Sequence, residues 1–243
     1  MWEILEGYIM RFDNALVPAS FVCRQKRFFI HAKAANGVEI IAHTNNTGRM
    51  TGCLFPSGTI WLSPATNPKR KLKWSLELIE TDTGVLVGVN TILANDIVAE
   101  AIAQNLIPPL AGFSSATREV KYGRENSRID ILLQSPEQSV WVEVKNVSLV
   151  NDGHGRFPDA PSVRARKHLH ELMSVVADGD RAALVLCSQR SDVNSIGPAD
   201  DIDPEYGKLL RNAMEAGVEI YGLSCDVTTE GIVAQKRVQI DLA

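Results

Sequence analysis

Residues 1–85 alternate apolar and polar positions over short stretches, at 21–23, 29–30, 38–41, 59–62 and 74–79. Turn residues separate them: Asn36-Gly37, Gly48, Pro56-Ser57-Gly58 and Pro64. A period of two, broken every few residues and with no apolar stripe at helical spacing, predicts a small β-barrel or sandwich. Near residue 85 the period lengthens. Asn90 is placed to cap a helix with Leu93, Ile97, Val98, Ala101 and Ile102 on its apolar side, ended by Pro108-Pro109. Strands are expected at 119–122, 128–133 and 140–147. A loop rich in Asp, Gly and His then leads to a helix over 163–177. A short buried strand at 182–187, a helix over 205–216 closed by Gly217, and a strand at 218–222 complete the pattern. Helix, three strands, helix, strand, helix, strand describes an α/β body with a mixed sheet over 86–243, behind a barrel over 1–85.

The 243 residues are 45% hydrophobic and 22% charged, which fits a globular protein and excludes wholesale disorder. No apolar run approaches the roughly 18 residues of a membrane span. The opening MetTrpGluIleLeuGluGlyTyrIleMet has two acids and no basic segment, so no secretory signal is expected. Cys23, Cys53, Cys187 and Cys225 lie far apart without CxxC spacing, as reduced thiols of a cytoplasmic protein would. The net charge of −4 divides unevenly: +3 over residues 1–85 and −7 over the rest. The positive excess sits in Arg24, Lys26, Arg27, Lys33, Arg49 and the run Lys69, Arg70, Lys71 and Lys73. A basic barrel of this size is OB-like and suits a nucleic-acid backbone; a merely solvated basic face is the other reading of the charge.

The chemistry concentrates in two neighbouring strands. Asp130 lies in ArgIleAspIleLeuLeu, and the next strand carries Glu143-Val144-Lys145. Residues two apart on a strand share a face, so Glu143 and Lys145 project together while Val140, Val142 and Val144 are buried opposite. The short turn 134–139, with Pro136, makes the strands an antiparallel pair and sets Asp130 beside Glu143. Two carboxylates can hold Mg²⁺ or Mn²⁺, and the neighbouring ammonium can orient a water or stabilise charge developing on a phosphate. This is the pattern of PD-(D/E)XK nucleases, and the order of elements agrees. A Glu-Val-Lys alone is commonly just solvated; the pairing with Asp130 gives it weight. Glu100, on the preceding helix, and Glu119, on the first strand, compete as a further acid. On the second helix Arg164, Lys167, His168 and Glu171 form a stripe that could line a phosphate groove or simply face solvent.

His168 and His170 are two apart on a helix, whereas a zinc pair needs i, i+4, and His31, His43 and His154 are scattered. No GxSxG, P-loop or GxGxxG stands in a fitting context. Residues 201–220 could be mistaken for a helix-turn-helix. A strand rather than a second helix follows Gly217, however, and five acids would repel phosphates.

Four segments carry a resemblance to a known family: 43–50 (HisThrAsnAsnThrGlyArgMet), 128–130, 143–149, and the stretch from PheProAsp at 157 to GluLeu at 172. The chain resembles the sugar fermentation stimulation protein A family over nearly its whole length. The resemblance implies an N-terminal OB-fold, a PD-(D/E)XK-like domain and a cytoplasmic setting. It also implies DNA binding with little sequence preference and a regulatory link to maltose and other sugar utilisation genes. It puts the nuclease-like triad on Asp130, Glu143 and Lys145 and sets Asn46, Gly48 and Arg49 in a barrel motif of unassigned role. The expected partner is DNA, with RNA the other candidate. Arg49, Lys69, Arg70, Lys71, Lys73, Arg164 and Lys167 are the contact residues, and a homodimer is one open oligomeric state. Two functions stand: a DNA-binding regulator on a nuclease frame, or a Mg²⁺- or Mn²⁺-dependent nuclease.

Overall fold

The computed structural model describes residues 10–50, 52–122 and 127–243. A two-residue strand β1 (Met10–Arg11) precedes β2 (Val17–Gln25), β3 (Phe29–Lys33), β4 (Glu39–His43), β5 (Thr59–Pro64), β6 (Trp74–Glu80) and β7 (Leu86–Gly88). Strands β2 to β6 close on themselves in the order β4-β3-β2-β5-β6. The ring is sealed where β4 runs parallel to β6 through Ala42↔Trp74 and His43↔Ser75. That is OB topology, filled by Phe21, Ile30, Ile60, Leu62, Leu76 and Ile79. Strand β2 begins earlier than its apolar pattern suggested because Pro18 lies where β2 has only β5 as a neighbour; pairing with β3 starts at Ser20.

The body contains α1 (Leu93–Ala103), β8 (Ser115–Tyr122), β9 (Ser127–Gln134), β10 (Ser139–Asn146), β11 (Leu149–Asn151) and β12 (His154–Phe157). It continues with α2 (Val163–Ala177), β13 (Arg181–Ser188), β14 (Ser195–Pro198), α3 (Pro204–Glu215), β15 (Glu219–Val227) and β16 (Gly231–Ile240). The sheet order is β11-β12-β14-β16-β15-β13-β10-β9-β8. Helix α1 covers one face, where Ile97 and Val98 meet Ile131, Val142 and Val185. Helices α2 and α3 cover the other, where Leu169, Leu172 and Leu210 meet Leu184 and Leu186. The segment 201–220 is one helix leading into β15, with Tyr206, Leu210 and Ala213 buried, so no second helix is available for a helix-turn-helix. No helix among the described residues is long and apolar enough to cross a membrane.

Three expectations are adjusted. The barrel was expected to take residues 1–85, yet β1 pairs with β16 through Met10↔Ile232 and Arg11↔Gly231, and Met10 and Leu16 are buried in the body's core. Strand β7, just past residue 85, pairs with β6 of the barrel. Asn90 stands ahead of α1 with its Oδ1 accepting the Ile92 N–H at 3.2 Å, as a cap does, but the same oxygen also accepts from Asn45 and its Nδ2 donates to Glu77 Oε2 at 2.8 Å, stitching barrel to body.

At the edge of the parallel strands, Arg181 forks onto Glu219, with Nε donating to Oε1 at 2.7 Å and Nη2 to Oε2 at 2.9 Å. Burial alone would raise the Glu219 carboxyl, but the bonds from Arg181 and Tyr221 outweigh it and hold the group below its usual range. The stabilisation is therefore present above the unfolded carboxylate range and is lost as pH falls through the lowered folded value. Glu219→Gln is expected to cost about 1 kcal/mol near neutrality and progressively less in acid. Chemical denaturation of both proteins from pH 3 to pH 7 checks this.

Candidate functional site

The ladder between β9 and β10 runs from Ser139↔Gln134 to Val142↔Ile131 and stops there. On the other side of β9, pairing with β8 skips from Arg118↔Ile131 to Val120↔Ile129. The skipped residue of β8, Glu119, takes the left-handed conformation at φ 55°. The sheet is thus interrupted on both flanks of Asp130, whose carboxylate occupies the opening. Its Oδ2 accepts the N–H of Val144 at 2.7 Å, and its Oδ1 accepts Nδ2 of Asn95 on α1 at 2.9 Å.

Beyond the fork β10 continues beside β13, and Val144 packs into the α1 core. Period two therefore turns Glu143 and Lys145 toward α2. Glu143 is 1% exposed. Its Oε1 accepts from Lys145 Nζ and from His168 Nδ1, and the two nitrogens are 3.4 Å apart. His168 Nε2 lies 3.4 Å from Nε of Arg164, which can only donate. The ring is thereby assigned as the Nδ1–H tautomer that donates to Glu143. The other oxygen of Glu143, Oε2, is buried and has no hydrogen-bond partner among the described residues.

The electrostatics bind these groups into one site. Burial, then the charge of Glu143, pushes the Asp130 carboxyl up; Lys145, the Val144 N–H and Asn95 pull it down, and the rise prevails. For Glu143, burial pushes up but Lys145 and His168 outweigh it, holding the carboxyl below its usual range. Tyr122, at the end of β8, has a buried hydroxyl that faces the Glu171 carboxylate. Its ionisation is driven upward by burial and by the charges of Glu143, Glu171 and Asp130. The buried Glu171 carboxylate lies beside it, one oxygen 4.0 Å from Lys167 Nζ.

The expected residues divide accordingly. Glu143 and Lys145 are in contact, and Asp130 lies within electrostatic reach of both while its own hydrogen bonds go to the Val144 N–H and to Asn95 on α1. Glu100 does not join them: its oxygens take the Met10 N–H at 3.3 Å and Gln104 Nε2 at 2.9 Å, tying α1 to β1. Glu119 is exposed, 3.9 Å from Arg128. Arg164 and Lys167 lie on α2, Arg164 reaching the site through His168. Lys69, Arg70, Lys71 and Lys73 occupy the loop between β5 and β6; Lys73 Nζ bonds the Pro68 carbonyl at 2.8 Å and Arg70 bonds Ser75 Oγ at 3.0 Å.

The motif around Asn46, Gly48 and Arg49 proves to be the seam between barrel and body. Met50 N–H donates to Asp159 Oδ2 at 2.8 Å, and a Cβ on Gly48 would fall 2.5 Å from both Asp159 oxygens. Arg24 donates to the carbonyls of Asn46, Gly48 and Arg49, fixing the loop from the barrel side. The sequence pattern did not single out Asn95 or Tyr122, and it placed His168 only on the α2 stripe, not beside Glu143. For His168 a signal existed, since Arg164, His168 and Glu171 were already on one helical stripe.

Asp130 and Glu143 offer hard oxygen donors, and the unpartnered Oε2 of Glu143 is a position a cation would satisfy, so the residues fit a divalent metal. Among the described residues no cluster of three or more His, Cys, Asp or Glu side chains has metal-holding geometry. Two carboxylates with water and substrate oxygens are the set that Mg²⁺ commonly accepts.

Two family models match the chain: the SfsA N-terminal OB domain over residues 22–89, and the sugar fermentation stimulation protein RE domain over residues 92–231. A sugar fermentation stimulation protein homolog of Teredinibacter turnerae is 50% identical, aligned over 90% of this chain and 96% of its own. One from Thioalkalivibrio sulfidiphilus is 46% identical over 96% of this chain and 99% of its own. Among solved structures, Pyrococcus furiosus SfsA in complex with Ca²⁺ superposes with a TM-score of 0.87 at 28% identity, covering 96% of this chain and 98% of that one.

Proposed function

Since the chain belongs to the sugar fermentation stimulation protein family, we propose that it binds DNA with little sequence preference through its barrel and hydrolyses phosphodiester bonds in its body. The observation that carries this reading is the unpartnered Oε2 of Glu143, buried beside Lys145 and within electrostatic reach of Asp130. Asp130 and Glu143 would hold Mg²⁺ or Mn²⁺, which when bound polarises the phosphate and acidifies a water. The Ca²⁺ in the Pyrococcus relative supports a divalent ion at this kind of frame.

The chain's own residues do the rest. Asn95 and the Val144 N–H fix the Asp130 carboxylate in the fork. His168 holds Glu143 so that Oε2 rather than Oε1 is left available. Lys145 supplies a positive charge for the phosphorane-like transition state. The barrel contributes sequence-independent phosphate contacts.

The test is incubation of single-stranded, duplex and branched DNA, and RNA, with Mg²⁺ or Mn²⁺. Cleavage that disappears in Asp130→Asn and in Glu143→Gln is the expected result. A second reading, a regulator of sugar (maltose) genes that binds DNA without cutting it, is favoured by one observation. Glu143 Oε1 already accepts from both Lys145 and His168, so the Glu143–Lys145 pair is also self-consistent as a structural ion pair. Intact binding with no cleavage on any substrate would decide for it. Replacing Lys69, Arg70, Lys71 and Lys73 together by glutamine is expected to weaken binding and to flatten its salt dependence, by about 0.9 in logarithmic slope per lost phosphate contact. An unchanged slope in a fluorescence titration would remove that loop from the interface.

A further inference from the structure

The exposed apolar surface of this protein is concentrated on the barrel. Val22, Phe28, Phe29, Val38 and Ile41 are five of the eight exposed large hydrophobic residues described. They follow from the strand pattern. In β3 Ile30 and Ala32 point inward, so Phe29, His31 and Lys33 point out; in β4 Ala42 points inward, so Glu39, Ile41 and His43 point out. Antiparallel register sets these side chains opposite one another as Phe29↔His43, His31↔Ile41 and Lys33↔Glu39. The outer sheet surface therefore carries a ladder of two ring-bearing rungs and one charged rung.

The turn into β3 completes it. Lys26 and Arg27 both adopt the left-handed conformation, at φ 48° and 62°, an uncommon choice for side chains of this size. They leave Phe28 with its ring stacked on His43, centroids 6.4 Å apart and planes 4° from parallel. His43 also feels the charge of Arg70, so the Lys69–Lys73 loop borders the same surface.

We propose that the outer face of β3 and β4, with Phe28 and Phe29 as stacking rings, is a platform for unpaired bases, so that the nucleic acid held by the barrel is single-stranded. This rests on the nucleic-acid reading above and narrows it. Bases of a duplex are stacked on each other and present no ring face, so exposed rings reward only an opened strand, at a strength insensitive to sequence. A protein partner would use the same apolar area, but the flanking groups favour a polyanion. Lys26, Arg27 and Lys33 frame the rings, the Lys69–Lys73 loop adjoins them, and Glu39 is the one acid on these two strands, facing Lys33. Five strands of an OB barrel accommodate roughly 4–16 nucleotides.

The experiment measures binding without cleavage, in EDTA, of a fluorescent oligothymidylate and of a duplex of equal length. In Phe28→Ala/Phe29→Ala, affinity for the single strand is expected to fall about tenfold or more. Its salt slope and the duplex affinity should stay within about twofold, because no phosphate contact is removed. Both residues are on the surface, so an unchanged melting temperature shows that the variant folds. In a second variant, Phe29→Trp, the added indole emission is expected to be quenched by the oligothymidylate and not by the duplex. Equal loss on both substrates, or no loss on either, overturns the platform while leaving nucleic-acid binding intact. Failure of the unaltered protein to bind any nucleic acid overturns the broader reading as well.

Discussion

On the proposed nuclease function, Glu143→Gln is expected to reduce metal-dependent cleavage about a thousandfold or more, because several kcal/mol of charge stabilisation would leave with the cation. The substitution is nearly isosteric. The amide keeps an acceptor for His168, and the uncompensated oxygen of the buried carboxylate is replaced by an amide group of much lower desolvation cost. The fold should therefore survive, with a smaller loss of melting temperature than removal of Lys145 causes, because the part-exposed ammonium keeps the amide oxygen as an acceptor. Thermal shift with added Mn²⁺ separates the two effects: the unaltered chain is expected to be stabilised by the ion and the variant not. A variant that still cleaves at the original rate would remove Glu143 from the chemistry.

Lys145→Met should produce the largest loss of stability. Glu143 is 2% exposed in its side chain and Lys145 17%, so taking away the ammonium leaves a buried carboxylate with only the His168 imidazole. Breaking such a pair costs about 3 kcal/mol, which for a chain of this size lowers the melting temperature by roughly 6–12 °C. The pH dependence has a definite sign. In the unaltered protein Lys145 and His168 hold the Glu143 carboxyl low against the push of burial. Without Lys145 burial prevails, the folded value rises above the unfolded one, and the protonated form is preferred. The deficit is then smaller at pH 5 than at pH 8. Glu143→Gln/Lys145→Met should recover most of the loss. Calorimetry at both pH values checks it, and a single variant as stable as the parent at pH 8 would mean the pair is solvated.

The cluster of Glu143 and Lys145 was legible because strands expose their logic at period two. Val140, Val142 and Val144 alternate with Glu143 and Lys145, and a charged residue repeated on the non-valine face announces a polar site. The barrel was legible for the same reason. What escaped depends on distance along the chain. Asn95 meets Asp130 across 35 positions and His168 meets Glu143 across 25, and nothing in a local pattern encodes either meeting. Glu100 looked equivalent to a site acid because helical spacing gives a face but not what the face covers; here it covers β1. Strands β11 and β12 read as a loop since they are three and four residues long, although Asp152-Gly153, both left-handed, is the turn such a hairpin requires. Asn90 takes the Ile92 N–H as a cap would, and what its local pattern did not encode is the further bonding into the seam with Glu77 and Asn45.

The pairing of β1 with β16 makes the barrel an insertion between two parts of the body, since the chain leaves the large sheet after Arg11 and re-enters that domain at α1. The two modules are consequently not beads on a string, and cutting at residue 90 would not yield an autonomous C-terminal fragment. Such a fragment would expose the backbone of Gly231 and Ile232, leave Glu100 without the Met10 amide, and uncover the pocket filled by Met10 and Leu16. A bare strand edge beside an apolar hollow is an invitation to self-association. The leading residues are as much a part of the nuclease-like half as its own final strand.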